Sequence, residues 1–338
     1  MSIQEKENQV FHQNIKRLRY NENVVESKFK DSGVKKVLLL GLSQDTEENY
    51  ANISKLWNLL QINDRFKGTL ATDLKLANIL FGLMSHASTY PCTWCFAHKN
   101  KLEVCTTLRS MGNCLKYYEG WLASGSRQDQ AKQFMNCINL PLLSGNEDIL
   151  FLDVYPPPEL HLMLGVVNTL IKHMLLDCPT DVEAWIQVCN VQRDLTHRGP
   201  TFKGNSCNIL LKKIDLLRSS CCIKCVKYVH TFKCFGSVVQ DCFGERLKET
   251  YLKSISDFKD SYMALAIPVT PKVHAVFYHV SQFCKKVQSS LGFYSEQAVE
   301  SLHHDFAQIW SKYKVSKNNE LYASRLLRAV SEYNSSHL

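Results

Sequence analysis

The 338-residue sequence contains no run of eighteen apolar residues, so no membrane-spanning helix is expected in it. Its opening stretch, MSIQEKENQVFHQ, is charged and lacks the apolar centre of a secretory signal. That argues against export and for a reducing, intracellular compartment. No internal repeat or low-complexity stretch is visible. With 45% hydrophobic and 21% charged residues, the composition excludes a disordered chain and fits one large domain or two ordinary ones. The formal charge of +8 suits a polyanionic partner such as nucleic acid without demanding one.

What the sequence does have is cysteine, fourteen residues in all. In a reducing compartment these are expected to be buried small hydrophobes, metal ligands or reactive thiols and not disulfides, most of them packed in the core. Cys92-Thr93-Trp94-Cys95 is a CxxC, a spacing at which two thiolates reach one metal. A second pair, Cys222-Ile223-Lys224-Cys225, has no obvious matching ligands, although His230 is nearby, and reads as structural cysteine. His274 and His279 form an H-x4-H, within the range used for zinc. A Cys2His2 zinc site from these distant pairs would close a long loop, where a structural metal adds most. Without further context the two histidines read as satisfied core or surface residues.

Along the chain, residues 1–33 are polar and irregular and read as a leader or linker. VKKVLLLGL at 34–42 is a continuous apolar run of the kind found in a buried strand. A helix follows, with Tyr50, Ile53, Leu56, Trp57 and Leu60 on one face. FKGTLAT then leads into an amphipathic helix from Asp73. The order strand, helix, strand, helix makes an α/β unit, too short for a whole sheet domain. From about residue 105 helical periods dominate, with one strand-like piece, ILFLDVY, at 149–155. Pro156, Pro157 and Pro158 stop that piece, and Glu159 opens a long apolar helix through Met174. Further helices are expected near 181–194, 206–218, 236–267, 272–288, 295–315 and 319–333.

Two carboxylates stand in suggestive places. Asp73 lies at an expected strand-to-helix junction, nineteen residues before Cys92 (73 to 92), and Glu300 lies twenty-one residues after His279 (279 to 300). One zinc joining the cysteine and histidine pairs would draw these carboxylates together. Convergent carboxylates are what a nuclease or phosphoryl transferase needs to hold two Mg2+ ions about 4 Å apart across a scissile phosphate. Taken singly, Asp73 reads as a helix cap and Glu300 as a solvated glutamate.

The segments TDLKLANILFGLMSHASTYPCTWC, PPPELHLMLG and VHAVFYHV with FYSEQAVESLHHDF together resemble the Transib-type DDE transposases and their relative, the catalytic subunit of the V(D)J recombinase. The resemblance runs from about residue 34 to the end of the sequence. It implies an α/β layer plus a large all-α region: a partial RNase H-like catalytic core interrupted by a helical, zinc-binding insertion. On that reading, 34–90 is the partial core, 91–290 the insertion, and 291–338 the helices carrying the catalytic-type glutamate. It implies Cys92, Cys95, His274 and His279 as zinc ligands, Asp73 and Glu300 as Mg2+ or Mn2+ ligands, and His161 as a histidine close to the active site. Glu296, one turn before Glu300, is its rival. The implied activity is metal-dependent cleavage and strand transfer of DNA in the nucleus, by a homodimer.

One departure bears on that activity. The family's first aspartate lies on the first strand of the sheet, further upstream of the second than the seventy-two residues that precede Asp73 here. Asp31 is a poor substitute, and no region that would bind terminal repeats is expected within this sequence. With one carboxylate gone, a two-metal site loses its bridging ligand, so the chain by itself is expected not to cleave DNA. The alternatives are a domesticated, non-catalytic DNA- or protein-binding scaffold held by one zinc, or a decaying transposon fragment. Lys285, Lys286, Lys312 and Lys314 are candidate phosphate contacts, as are Lys212, Lys213 and Lys317, although each also reads as a solvated helix face. Arg193, His197 and Arg198 lie in a turn-like stretch that could face DNA.

Overall fold

The computed structural model describes residues 47–65, 68–196, 199–218, 223–295, 297–316 and 318–335, all within the unit Val34–Leu338. The leader at 1–33 with Asp31, the strand expected at 34–42, and His197, Arg198, Cys222, Glu296 and Lys317 lie outside the described residues, as does the side chain of Glu300.

Helices build most of what is described. Helix α1 (Tyr50–Leu59) is capped by the Asn49 side chain, and α2 (Leu74–Leu80) by Asp73. A Ser110–Asn113 capping box opens α3 (Met111–Ala123). After the three prolines, Glu159 places a negative charge in the first turn of α4 (Glu159–Asp177), where it favours the helix dipole. Helix α5 (Pro179–Cys189) starts on proline and stops at Asn190, whose φ of 54° is left-handed. Strands β1 (Asp194–Thr196) and β2 (Gly199–Thr201) then pair antiparallel, Asp194 opposite Thr201. Helices α6 (Gly204–Lys212), α7 (Ile223–Val238) and α8 (Tyr251–Met263) follow. Pro271–His274, a π-helical turn at Ala275–His279 and Val280–Val287 run together as one helix, α9. A hairpin of α10 (Gln297–Tyr313) and α11 (Tyr322–Ser335) ends the chain's described part.

The core is organised around α4. Its Leu162, Val166, Val167, Leu170 and Met174 are fully enclosed, and it packs against α5, α6, α7 and the start of α9. Helices α7 and α8 lie against each other through Phe235 and Phe258, whose rings are 4.9 Å apart. Burying such side chains removes apolar surface from water, which stabilises the fold by about 1.5–3 kcal/mol for each large one.

The expectation of a large helical region holds, but the α/β layer is not seen among the described residues, whose only sheet is the β1–β2 pair. The strand expected at 149–155 is instead a helical turn, Phe151–Val154, with Asp153 accepting a hydrogen bond from the Leu150 N–H. An apolar run of this length fits a buried turn as well as a strand, and here Phe151, Leu152 and Tyr155 all point into the core. FKGTLAT forms no strand in its described part, so Asp73 sits at a loop-to-helix junction, although Leu70 N–H does donate to Val154 O at 2.7 Å. The single helix expected over 236–267 is broken after a π-helical turn at Val239–Phe243. Asp241 is buried there and gathers the hydroxyls of Thr250 and Ser254, each at 2.7 Å, and the Lys248 ammonium at 3.1 Å. The chain must turn to bring those groups back to it. Gly292 passes so close that an added Cβ would lie 2.3 Å from Gly244 O.

Cys178, between α4 and α5, and Cys225 in α7 face each other, their Cα atoms 6.5 Å apart.

Candidate metal centre

Cys92 and Cys95 occupy a tight turn after Pro91, and several bonds fix its shape. The Trp94 N–H faces Cys92 Sγ at 3.4 Å, and Thr93 Oγ1 donates to Asn78 Oδ1 at 2.8 Å. The Trp94 indole stacks on Tyr155 and donates to its carbonyl at 2.9 Å. Cys95 bridges to Leu108, which draws the 102–109 loop over the turn. Arg109, wholly buried, donates through Nε to the carbonyls of Cys92 and Cys95 at 3.1 and 3.2 Å.

The histidines come from α9. Five steps along an ordinary α-helix rotate a side chain by about 140° from its start, so His274 and His279 would diverge. The π-helical turn between them has more residues per turn and returns both rings to one face. Each ring is then aimed by its second nitrogen. His274 Nδ1 bonds the Leu102 carbonyl at 2.8 Å, and His279 Nδ1 bonds Gln282 Oε1 at 2.9 Å. With those nitrogens donating, Nε2 of both rings carries the lone pair inward.

The four side chains meet. Cys92 Sγ lies 3.2 Å from His279 Nε2, Cys95 Sγ 3.3 Å from His274 Nε2, and the two Nε2 atoms are 3.2 Å apart. All four donor atoms fall within 4.8 Å of one another and all four residues are buried. A tetrahedron with Zn–S near 2.3 Å and Zn–N near 2.0 Å has edges of about 3.3–3.8 Å. Cys92, Cys95, His274 and His279 therefore form a cluster that could hold a metal ion such as zinc. Burial pushes the Cys92 thiol up from its ordinary range, whereas hydrogen bonding from Cys105, then from Cys92 itself, holds Cys95 down. A metal here would displace protons from the sulfurs, which makes its binding pH-dependent.

The other expected residues are placed as follows. Asp73 is partly buried and its Oδ1 accepts from Leu76 N–H at 2.7 Å, the bond of a helix cap. It belongs to no metal-capable group among the described residues. His86 ties this corner to the cysteine turn, with Nε2 bonded to Leu74 O at 2.9 Å and Nδ1 to Pro91 O at 2.8 Å. His161 is half-buried in the first turn of α4. Glu300 lies near the start of α10. The buried Glu159 accepts a hydrogen bond from Ser295, two residues before α10. Lys285 and Lys314 are exposed, but Lys286 is paired with Asp153 and Lys312 with Glu332 at 2.7 Å. Arg193 is paired with Glu183 at 2.8 Å.

No family model matches this chain, and no curated protein matches it. Sequence reasoning missed Gln282, Leu102, Cys105 and Arg109 around the centre. Gln282 alone carried a signal, standing three residues after His279 on one helix face. Among the described residues, no helix is long and apolar enough to cross a membrane.

Proposed function

We propose that this chain is a transposase-derived, DNA-associated protein of the DDE type, whose helical body is held together by one structural zinc. The observation that carries this reading is the convergence of Cys92, Cys95, His274 and His279 from pairs more than 170 residues apart, |i−j| being 179 and 187 for the two Cys–His contacts. The order Asp73, Cys92/Cys95, His161, His274/His279, Glu300 supports the same family, with its RNase H-like core, nuclear site of action and homodimeric assembly. In that family's chemistry Asp73 and Glu300, or Glu296 in its place, would hold Mg2+ or Mn2+ at a DNA phosphodiester. Exposed Lys285 and Lys314 would contact phosphates, each making binding more salt-sensitive.

A second reading, a non-catalytic DNA- or protein-binding scaffold, is favoured by the engagement of Asp73 Oδ1 as a helix cap. Both readings share the metal; they part at cleavage and, where the scaffold's partner is a protein, at DNA binding. The test uses the purified full chain: zinc content by elemental analysis, duplex-DNA binding as a function of salt, and nicking of supercoiled DNA with Mg2+ or Mn2+. We expect one zinc per chain, salt-sensitive binding and no nicking. Failure to bind duplex DNA at low salt sinks the DNA reading. Nicking that Asp73→Ala abolishes would restore the catalytic one.

A further inference from the structure

Arg109 is the one arginine buried completely among the described residues, and its partners are unusual. Besides the two cysteine carbonyls, its Nη1 reaches Met135 O at 3.1 Å and Cys137 Sγ at 3.6 Å, and its Nη2 reaches Tyr90 O at 3.3 Å. Its own backbone N–H donates to Trp94 O at 2.8 Å. The guanidinium carbon lies 4.5 Å from the centre of the Phe96 ring. One residue thus gathers the carbonyls of Tyr90, Cys92, Trp94 and Cys95, which are the backbone of the ligand turn. No carboxylate pairs with it among the described residues.

That arrangement is costly unless the fork itself is needed. A guanidinium removed from water loses its hydration, and without a carboxylate only dipoles and the aromatic ring replace it. Holding one carbonyl needs no charge; a neutral side chain can do it. Holding several at fixed angles is what the rigid planar fork does and a lysine ammonium does not. With the turn's carbonyls held in this way, the Trp94 N–H is left facing Cys92 Sγ at 3.4 Å.

We propose that Arg109 is the positioning residue of the metal centre, presetting the Cys92–Cys95 turn in its ligating shape and so slowing loss of the metal. This rests on the reading that the Cys2His2 cluster holds zinc. Arg109 touches no metal itself; it acts through the peptide groups that carry the two sulfurs. Outer partners of this kind set how firmly first ligands are held.

The experiment follows zinc release from the full chain to the chromogenic chelator 4-(2-pyridylazo)resorcinol. It compares wild type, Arg109→Lys, and Val182→Ala, a core truncation in α5. Melting temperatures are recorded, and rates are compared at equal distance below each variant's midpoint. Arg109→Lys should release zinc about tenfold faster or more, and Val182→Ala should stay near the wild-type rate. With Co2+ in place of zinc, the visible absorption bands of Arg109→Lys should shift, which general loosening would not cause. A wild-type rate in Arg109→Lys overturns the proposal, as does equal acceleration in Val182→Ala. Should Arg109→Lys fail to fold, Phe96→Leu removes only the ring beneath the guanidinium. It should also release zinc faster, and a wild-type rate there overturns the proposal. A wild-type chain that holds no zinc overturns the metal reading and this inference with it; a zinc-bearing chain insensitive to both substitutions overturns only the inference.

Discussion

The four ligand residues differ from their neighbours in having no substitute. Serine in place of Cys92 or Cys95 offers a hydroxyl that stays protonated, and alanine in place of His274 or His279 offers nothing. Each of these four variants should lose the zinc and destabilise the fold by several kcal/mol, because metal binding is linked to folding. Elemental analysis with thermal melts reads both effects. If Cys225→Ser removes the metal and the four do not, the assignment fails. Gln282→Ala is expected to be milder. It leaves all four ligands but frees the His279 ring, so zinc affinity measured by competition should fall about 10–100-fold. The two pairs were legible as CxxC and H-x4-H spacings, and it was the family resemblance that implied them as one ligand set. The orienting groups were not, since a leucine carbonyl and a buried arginine carry no motif.

At the scale of elements, two local features decide where side chains go. The first is the π-helical turn in α9, which converts a five-residue spacing into a shared face. The second is the break after α7, where Asp241 pulls Thr250, Ser254 and Lys248 together. Burial works to raise the Asp241 carboxyl, but the hydroxyls of Ser254 and Thr250 and the Lys248 ammonium outweigh it, so the carboxyl is held below its ordinary range. The stability it contributes is therefore complete above the ordinary carboxylate range and is lost as pH falls through the lowered value. Asp241→Asn should cost about 1–3 kcal/mol near pH 7, with the difference from wild type shrinking in acid. Denaturant melts across pH check this; an Asn variant equally destabilised at every pH would show the charge to be irrelevant. Gly292→Ala belongs here too. Its methyl would press on the Gly244 carbonyl, and melting should show a loss of about 1–3 kcal/mol. Helix starts were legible in the proline run and at Asp73. The helical turn at Phe151–Val154 was not, because its apolar run has no period that separates a short helix from a strand.

For the whole molecule, the Cys2His2 cluster joins the turn beside α2 to α9 across 187 residues, from Cys92 to His279. A chelator strong enough to remove the metal should lower the melting temperature of the entire helical body in one step. Calorimetry that shows an unchanged transition after zinc removal would contradict this. Acidification should act in the same direction, since protons compete with the metal for both sulfurs and both imidazoles. What the sequence determined by itself was composition, helical periodicity and the two local pairs, Cys92/Cys95 and His274/His279, all of which are properties of residue type and spacing. Only the tertiary structure decided that these distant pairs meet and that Arg109 stands behind the cysteine turn. Those are decided by which surfaces the chain buries against one another, and no local spacing encodes a contact made from the far side of a loop.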